Sequence, residues 1–166
     1  NEGGESFITH YKSKYTDPIN PPSWMVFETL SFGTLSLLYE ALKASDIKNE
    51  ISFCFKIPPN ILTSWLHSLS LIRNICAHHG RLWNRYFQVQ FRLPSRKEYR
   101  FLQKGDELNG RQLYIVLCCI QKLLETINPT STFKKKLKAL LVKYPNVPIK
   151  EMGFSEEWLA EPIWSE

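Results

Sequence analysis

Residues Ser70–Tyr86 read SLIRNICAHHGRLWNRY, and on a helical wheel at about 100° per residue their side chains sort into two faces. Ile72, Ile75, Cys76, Leu82 and Trp83 share one arc, and His79 points with them. Asn74, His78, Arg81 and Arg85 fall within about 60° of one another on the opposite side, flanked by Ser70, Arg73 and Asn84. A solvated charged face is the ordinary account of such a stripe. Three features favour a site mounted on a rigid helix. Arg73 to Arg85 contains no Asp or Glu, so i,i+4 ion pairs do not explain the charges. Every cation is arginine, whose planar fork suits bidentate phosphate contact. The other polar residues are Asn and His, which are not typical solubilising choices.

The surrounding chain is helical in pattern. Asn60 is a good N-cap for the motif helix, which the pattern runs from Ile61 to about Asn84. Gly80 is a place for it to bend, leaving RLWNR as a last irregular turn. Upstream, a short helix over Phe7–Tyr15 ends at TDPINPP, where Pro18, Pro21 and Pro22 force a loop. A long apolar helix over about Trp24–Lys43 follows, rich enough in Leu to imply burial on more than one side. Gly33 inside it costs about 1 kcal/mol relative to Ala, which marks a close-packing position. Asp46 can cap a helix to about Phe53, and IPPN at Ile57–Asn60 breaks the chain again.

Downstream, Phe87–Lys104 contains the strand-like VQFRLP and a helical tendency around Ser95–Leu102. Gly110–Ile127 is an apolar helix ended by Asn128-Pro129. Thr130 or Ser131 caps another through Lys143, and Ser155 caps a short one to Leu159. With no repeat or strand alternation in competition, the fold class is an all-α bundle. The organisation expected is an N-terminal segment and Pro-rich linker (1–22), the bundle (23–145) and an acidic C-terminal extension with a short helix (146–166).

At 166 residues the chain suits one domain with a real core. No apolar run approaches membrane-spanning length and no signal peptide opens the chain. Cys54, Cys76, Cys118 and Cys119 lack paired spacing and read as reduced core residues of a cytoplasmic protein without a membrane partner. The net charge of +5 is unevenly placed: Lys150–Glu166 has one lysine against five glutamates, −4, so the remainder carries +9. Arg73–Arg100 holds six of the seven arginines plus Lys97, against Glu98 alone. A basic block beside the motif points to a polyanionic partner, nucleic acid first. The second basic run, Lys134–Lys138, reads as the solvated face of an amphipathic helix.

RNICAHHGRLWNR resembles the signature of the Abi-like (abortive infection) protein family, whose domain belongs to the HEPN superfamily. The superfamily pattern of Arg, a polar residue, three variable residues and His is met by Arg73, Asn74, Ile75-Cys76-Ala77 and His78. PPSWMVFETLSFGTLSLLYEAL from Pro21, SWLHSLSLIRN from Ser64 and MGFSEEWLAEPIW near the end look like the same family, so the likeness covers most of the chain. It implies a HEPN-like helical bundle, a toxic effector of bacterial anti-phage defence, and an antitoxin or regulatory RNA as a further partner. It also implies that this chain is the C-terminal part of a longer protein.

The chemistry open to the stripe is narrow. Without a nearby carboxylate, a Mg²⁺ site is not supported, and no cofactor is expected. Cys76 and His79 are three apart, a zinc-like spacing, but a packed Cys beside a hydrogen-bonded His is the simpler account. A nucleophilic Cys76 would point into the apolar arc, where a thiol is inert. His, Arg and Asn without metal fit RNA cleavage by its own 2′-hydroxyl. His78 would move the proton, Arg73 would neutralise charge on the phosphorane, and Asn74 would orient His78 or hold the phosphate. Arg81, Arg85, Arg92, Arg96 and Arg100 would bind the RNA backbone. Arg73 and His78 diverge by about 140° on the wheel, so one helix does not complete the site. The resemblance implies a homodimer that apposes two motif helices. A catalytically silent RNA- or protein-binding module and a purely structural helical domain are the other readings.

Overall fold

The computed structural model describes residues 5–43, 46–105 and 108–165. Its helices are α1 (Ser6–Lys14), α2 (Ser23–Thr29), α3 (Phe32–Ala41), α4 (Asp46–Cys54), α5 (Pro59–Ala77), α6 (Leu113–Ile127) and α7 (Phe133–Lys143). Short 3₁₀ turns lie at Lys97–Tyr99, Ile149–Met152 and Trp158–Ala160. No strand occurs among the described residues, and the fold is all-α.

The single long helix expected over Trp24–Lys43 is two. Ser31 breaks it: its Oγ accepts the Thr34 N–H at 3.1 Å and pairs with Thr34 Oγ1 at 2.9 Å, so it caps α3 with an extended backbone. A serine hydroxyl competes for backbone groups that the helix would otherwise satisfy. The burial expected on several sides is also absent, because Trp24, Phe27, Leu37 and Leu38 are exposed. Gly33 is no close-packing position either: a Cβ there would meet only Ser31 Oγ, at an ordinary 3.7 Å.

Helix α5 is the central element, with α3 and α4 packed on it. It starts two residues earlier than the Asn60 cap implies. Pro58 takes the cap position and Pro59 the first helical one, where a missing N–H costs nothing. Ile61, Leu62, Trp65, Leu69 and Ile72 form its buried side. Trp65 is fully buried, its indole N–H donating to the Arg92 carbonyl at 2.6 Å and its ring meeting Phe101 edge-on at 5.6 Å. That bond fixes the strand-like segment against α5. Phe87 and Phe91 point inward while Gln88, Gln90 and Arg92 stay exposed. Phe87 N–H donates to Arg111 O and Phe91 N–H to Gly110 O, both at 2.8 Å, so the segment is extended without joining a sheet.

The C-terminal stretch is part of the same core. Phe154, Trp158 and Trp164 are buried with Tyr114 of α6 in one run of ring contacts. Glu161, itself buried, accepts the Gln103 and Lys104 backbone N–H groups at 2.6 and 3.1 Å. The helix expected over Ser155–Leu159 is instead the 3₁₀ turn preceded by Glu157. On α7, Leu137 faces the core while Lys135 and Lys136 face solvent, the amphipathic arrangement expected of its lysine run.

The four cysteines are free, but they do not all lie in the core where the sequence reading puts them. Cys118 and Cys119 are buried, whereas Cys54 and Cys76 are exposed, each in the last turn of its helix. Burial pushes the Cys118 thiol up to about 12 and holds that of Cys119 well above its ordinary value. At pH 8 both therefore stay protonated and unreactive. A neutral disulfide reagent should titrate two thiols in the folded protein and four in denaturant.

The motif helix stops at Ala77, seven residues short of the end expected for it. His79 adopts a left-handed backbone (φ 54°), its N–H bonding Cys76 O at 3.0 Å while the Gly80 N–H bonds Ile75 O at 2.7 Å. This pair of bonds is a Schellman stop, with histidine where glycine is usual. Gly80 is required by contact: a Cβ there would lie 2.8 Å from Ile75 Cγ2 and 2.9 Å from Ile75 O. In urea denaturation His79→Gly should raise stability by about 0.5–1 kcal/mol by relieving the left-handed cost. Gly80→Ala should lower it by about 1–3 kcal/mol.

Candidate functional site

Because the helix ends at Ala77, only part of the predicted stripe is helical. Arg73, Asn74 and the capping His78 belong to α5; Arg81 and Arg85 lie in the loop beyond it. The wheel fails there because the Schellman bonds reverse the chain. His79, expected among the apolar residues, is exposed for the same reason. So is Trp83, although Leu82 is half-buried.

The reversed chain returns alongside α5 and encloses a cleft of about 540 Å³. Asn74, His78, Arg85, Tyr86 and Gln88 supply its polar groups, and Leu71, Ile72, Ile75, Phe87 and Val89 its apolar walls. No Asp or Glu lines it. Three of the predicted site residues thus meet, Arg85 by loop geometry rather than by helical phase. Arg73 stands outside, its Nη1 donating to Asn74 Oδ1 at 3.2 Å. Asn74 is therefore engaged by Arg73, not by His78 as one helical turn of spacing suggested.

The other arginines diverge. Arg81 is exposed, with its guanidinium 5.9 Å from the Trp83 ring centre. Arg92 lines a separate recess. Arg96 is exposed and 3.8 Å from Glu98, and Arg100 Nε donates to Ser95 O at 3.2 Å. The structure does not bring Arg96 or Arg100 to the cleft. Asn84 takes a left-handed backbone (φ 44°), and its Nδ2 donates to Glu151 Oε2 at 2.6 Å, tying the loop to the acidic tail.

Tyr86 and Gln88 were not picked out from the sequence. Tyr86 is held by Asn109, whose Nδ2 donates to its hydroxyl at 3.0 Å, with Arg111 5.9 Å from its ring centre. The period-two alternation from Phe87 to Arg92 is the signal that could have placed Gln88 on an outward face. Among the described residues no three His, Cys, Asp or Glu side chains are grouped to hold a metal ion. Cys76 and His79 thus gain no third ligand there. No helix of the described residues is long and apolar enough to cross a membrane.

No curated protein and no solved structure matches the chain. A family model described as Abi-like protein matches residues 1–84, a little over half of the 166, and its match contains α5 and the whole Arg73–Asn84 motif. The chain belongs to the Abi-like protein family.

Proposed function

We propose that the cleft is the active site of a metal-independent endoribonuclease of HEPN type, the toxic effector of bacterial abortive infection. Family membership supports a role related to abortive infection. The observation that carries the enzymatic reading is the cleft itself, which gathers His78, Asn74 and Arg85 with no carboxylate among its walls. This set can bind a phosphodiester and move one proton beside it.

In the proposed reaction the RNA 2′-oxygen attacks phosphorus as His78 takes its proton, and the bond to the 5′-oxygen breaks. The leaving oxygen takes a proton from water, the protonated His78 returns its own to the hydroxide so formed, and the products are a 2′,3′-cyclic phosphate and a 5′-hydroxyl. Arg85 faces the phosphate within the same cleft. Arg73 lies outside it, so the proposal includes a two-fold homodimer in which the partner's Arg73 completes charge neutralisation. An antitoxin or regulatory RNA would restrain such an activity.

Cleavage should persist in EDTA, leave cyclic phosphate ends and fail on a substrate with deoxyribose at the scissile position. His78→Ala should abolish it without shifting the unfolding midpoint, since the side chain is exposed. Arg73→Ala should slow the chemical step by about two orders of magnitude while changing RNA affinity little. RNA binding without turnover in the wild type would instead support a catalytically silent module.

Arg92, Arg96 and Arg100 provide a separate measurement. If each contacts an RNA phosphate, its replacement by Ala should flatten the log-affinity against log-salt slope by about 0.7. An unchanged slope for Arg96 and Arg100, which lie away from the cleft, would confine RNA to the α5 side.

A further inference from the structure

The exposed face of α5 carries polar groups well beyond the motif. Asn60, Ser64, His67, Leu71, Asn74 and His78 recur every three or four residues, which places them on one side of the helix. All are exposed or half-buried. The N-terminal half of this face opens into a second recess of about 360 Å³ between α3, α5 and the extended segment. Val89 lines both this recess and the His78 cleft. The two recesses therefore adjoin at Val89, both lying along α5 and beside the segment from Arg85 to Arg92.

The recess differs in character from the cleft. Glu40, Asn60, Thr63, His67, Gln90 and Arg92 give it both signs of charge and several neutral donors and acceptors. The Asn60, His67 and Gln90 side chains have no hydrogen-bond partner among the described residues, whereas Ser64 Oγ is used on Gln90 O at 3.4 Å. A bare phosphate would be repelled by Glu40. A nucleobase edge, with donors and acceptors side by side, matches such a set, and a carboxylate accepts well from an exocyclic amine. Arg92 is then available to the adjoining phosphate.

We infer that this recess is a base-recognition subsite, seating unpaired nucleotides of a single-stranded RNA that continues along α5 from the His78 cleft. The inference rests on the RNA reading of that cleft. His67 and His78 are eleven residues apart, a rise of about 16 Å, or about five nucleotides at a stacked spacing of about 3.4 Å. That separation makes His67 a positioning residue rather than a second proton carrier for the same bond.

The test is equilibrium binding of fluorescent oligoribonucleotides to the full chain carrying His78→Ala, which prevents turnover. An octamer should bind at least tenfold tighter than a trimer, since only the octamer spans both stretches. Adding His67→Ala or Gln90→Ala should reduce that ratio by about tenfold, with an unchanged unfolding midpoint for these exposed positions. A ratio that survives both substitutions, or no binding of either oligonucleotide, would overturn the subsite. So would protection of His67 from a histidine-modifying reagent that rises with protein concentration alone, which would assign the face to a second copy. A wild-type chain that binds with the expected ratio but never cleaves would retire the nuclease reading and leave the subsite standing.

Discussion

The approach of the Gly80 backbone to the Ile75 carbonyl oxygen, N to O 2.7 Å, is the constraint on which the site depends. It stops α5 one residue before His78 and turns the chain back along the helix it has just left. Continued helix would have carried Arg81 and Arg85 outward on a long exposed stripe. The reversal instead lays residues 85–92 beside α5, where the Trp65 indole holds the Arg92 carbonyl at 2.6 Å. A concave surface exists between two elements fastened at both ends. The histidine at the left-handed position carries a conformational cost of about 1–2 kcal/mol, which the two Schellman bonds and the packing around Ile75 offset.

This geometry divides the residues of the candidate site. Asn74, His78 and Arg85 face one cleft, while Arg73 bonds Asn74 from outside it. Arg73 is exposed, so its guanidinium is open to a second molecule while it bonds Asn74. The proposed two-fold assembly gives Arg73 a role that one chain alone does not. Arg81, Arg96 and Arg100 do not line the cleft, so the chain presents no even basic face there. The His78 cleft holds Arg85 without a carboxylate, whereas the adjoining recess pairs Arg92 with Glu40.

The acidic tail is tied to the loop after α5 and to α6. Trp158 and Trp164 pack in an edge-on pair at 5.7 Å, and Phe154 and Tyr114 extend the cluster into α6. Negative charge in the tail is spent locally: Glu161 receives two backbone N–H groups, Glu157 meets Lys104 at 2.7 Å and Glu151 holds Asn84. The lysine partners keep the exposed Glu156 and Glu157 carboxyls below their usual range. The loop that carries Arg81 and Arg85 is thereby anchored to a buried scaffold at Asn84.

Much was legible in the residues themselves. Helical periodicity, proline breaks and the apolar faces of α5 and α6 are local properties, written at spacings of three and four, and they determined the all-α class. The Arg73–His78 pattern and its acid-free surroundings singled out a window from which Asn74, His78 and Arg85 line the cleft, whereas Arg73 does not. What the chain could not announce was where α5 ends, because a Schellman stop on histidine lacks the usual glycine signal at its left-handed residue. The break at Ser31 was hidden for a similar reason, since a capping serine inside an apolar run looks like one more helical residue. The burial of Glu161 and the core position of Trp164 depend on groups some sixty and fifty residues away in sequence, Lys104 and Tyr114. The company of Arg85 with His78, and of His67 with Gln90, was likewise decided only when the chain folded back. Contacts between distant segments are set by how whole faces pack, and no local spacing encodes them.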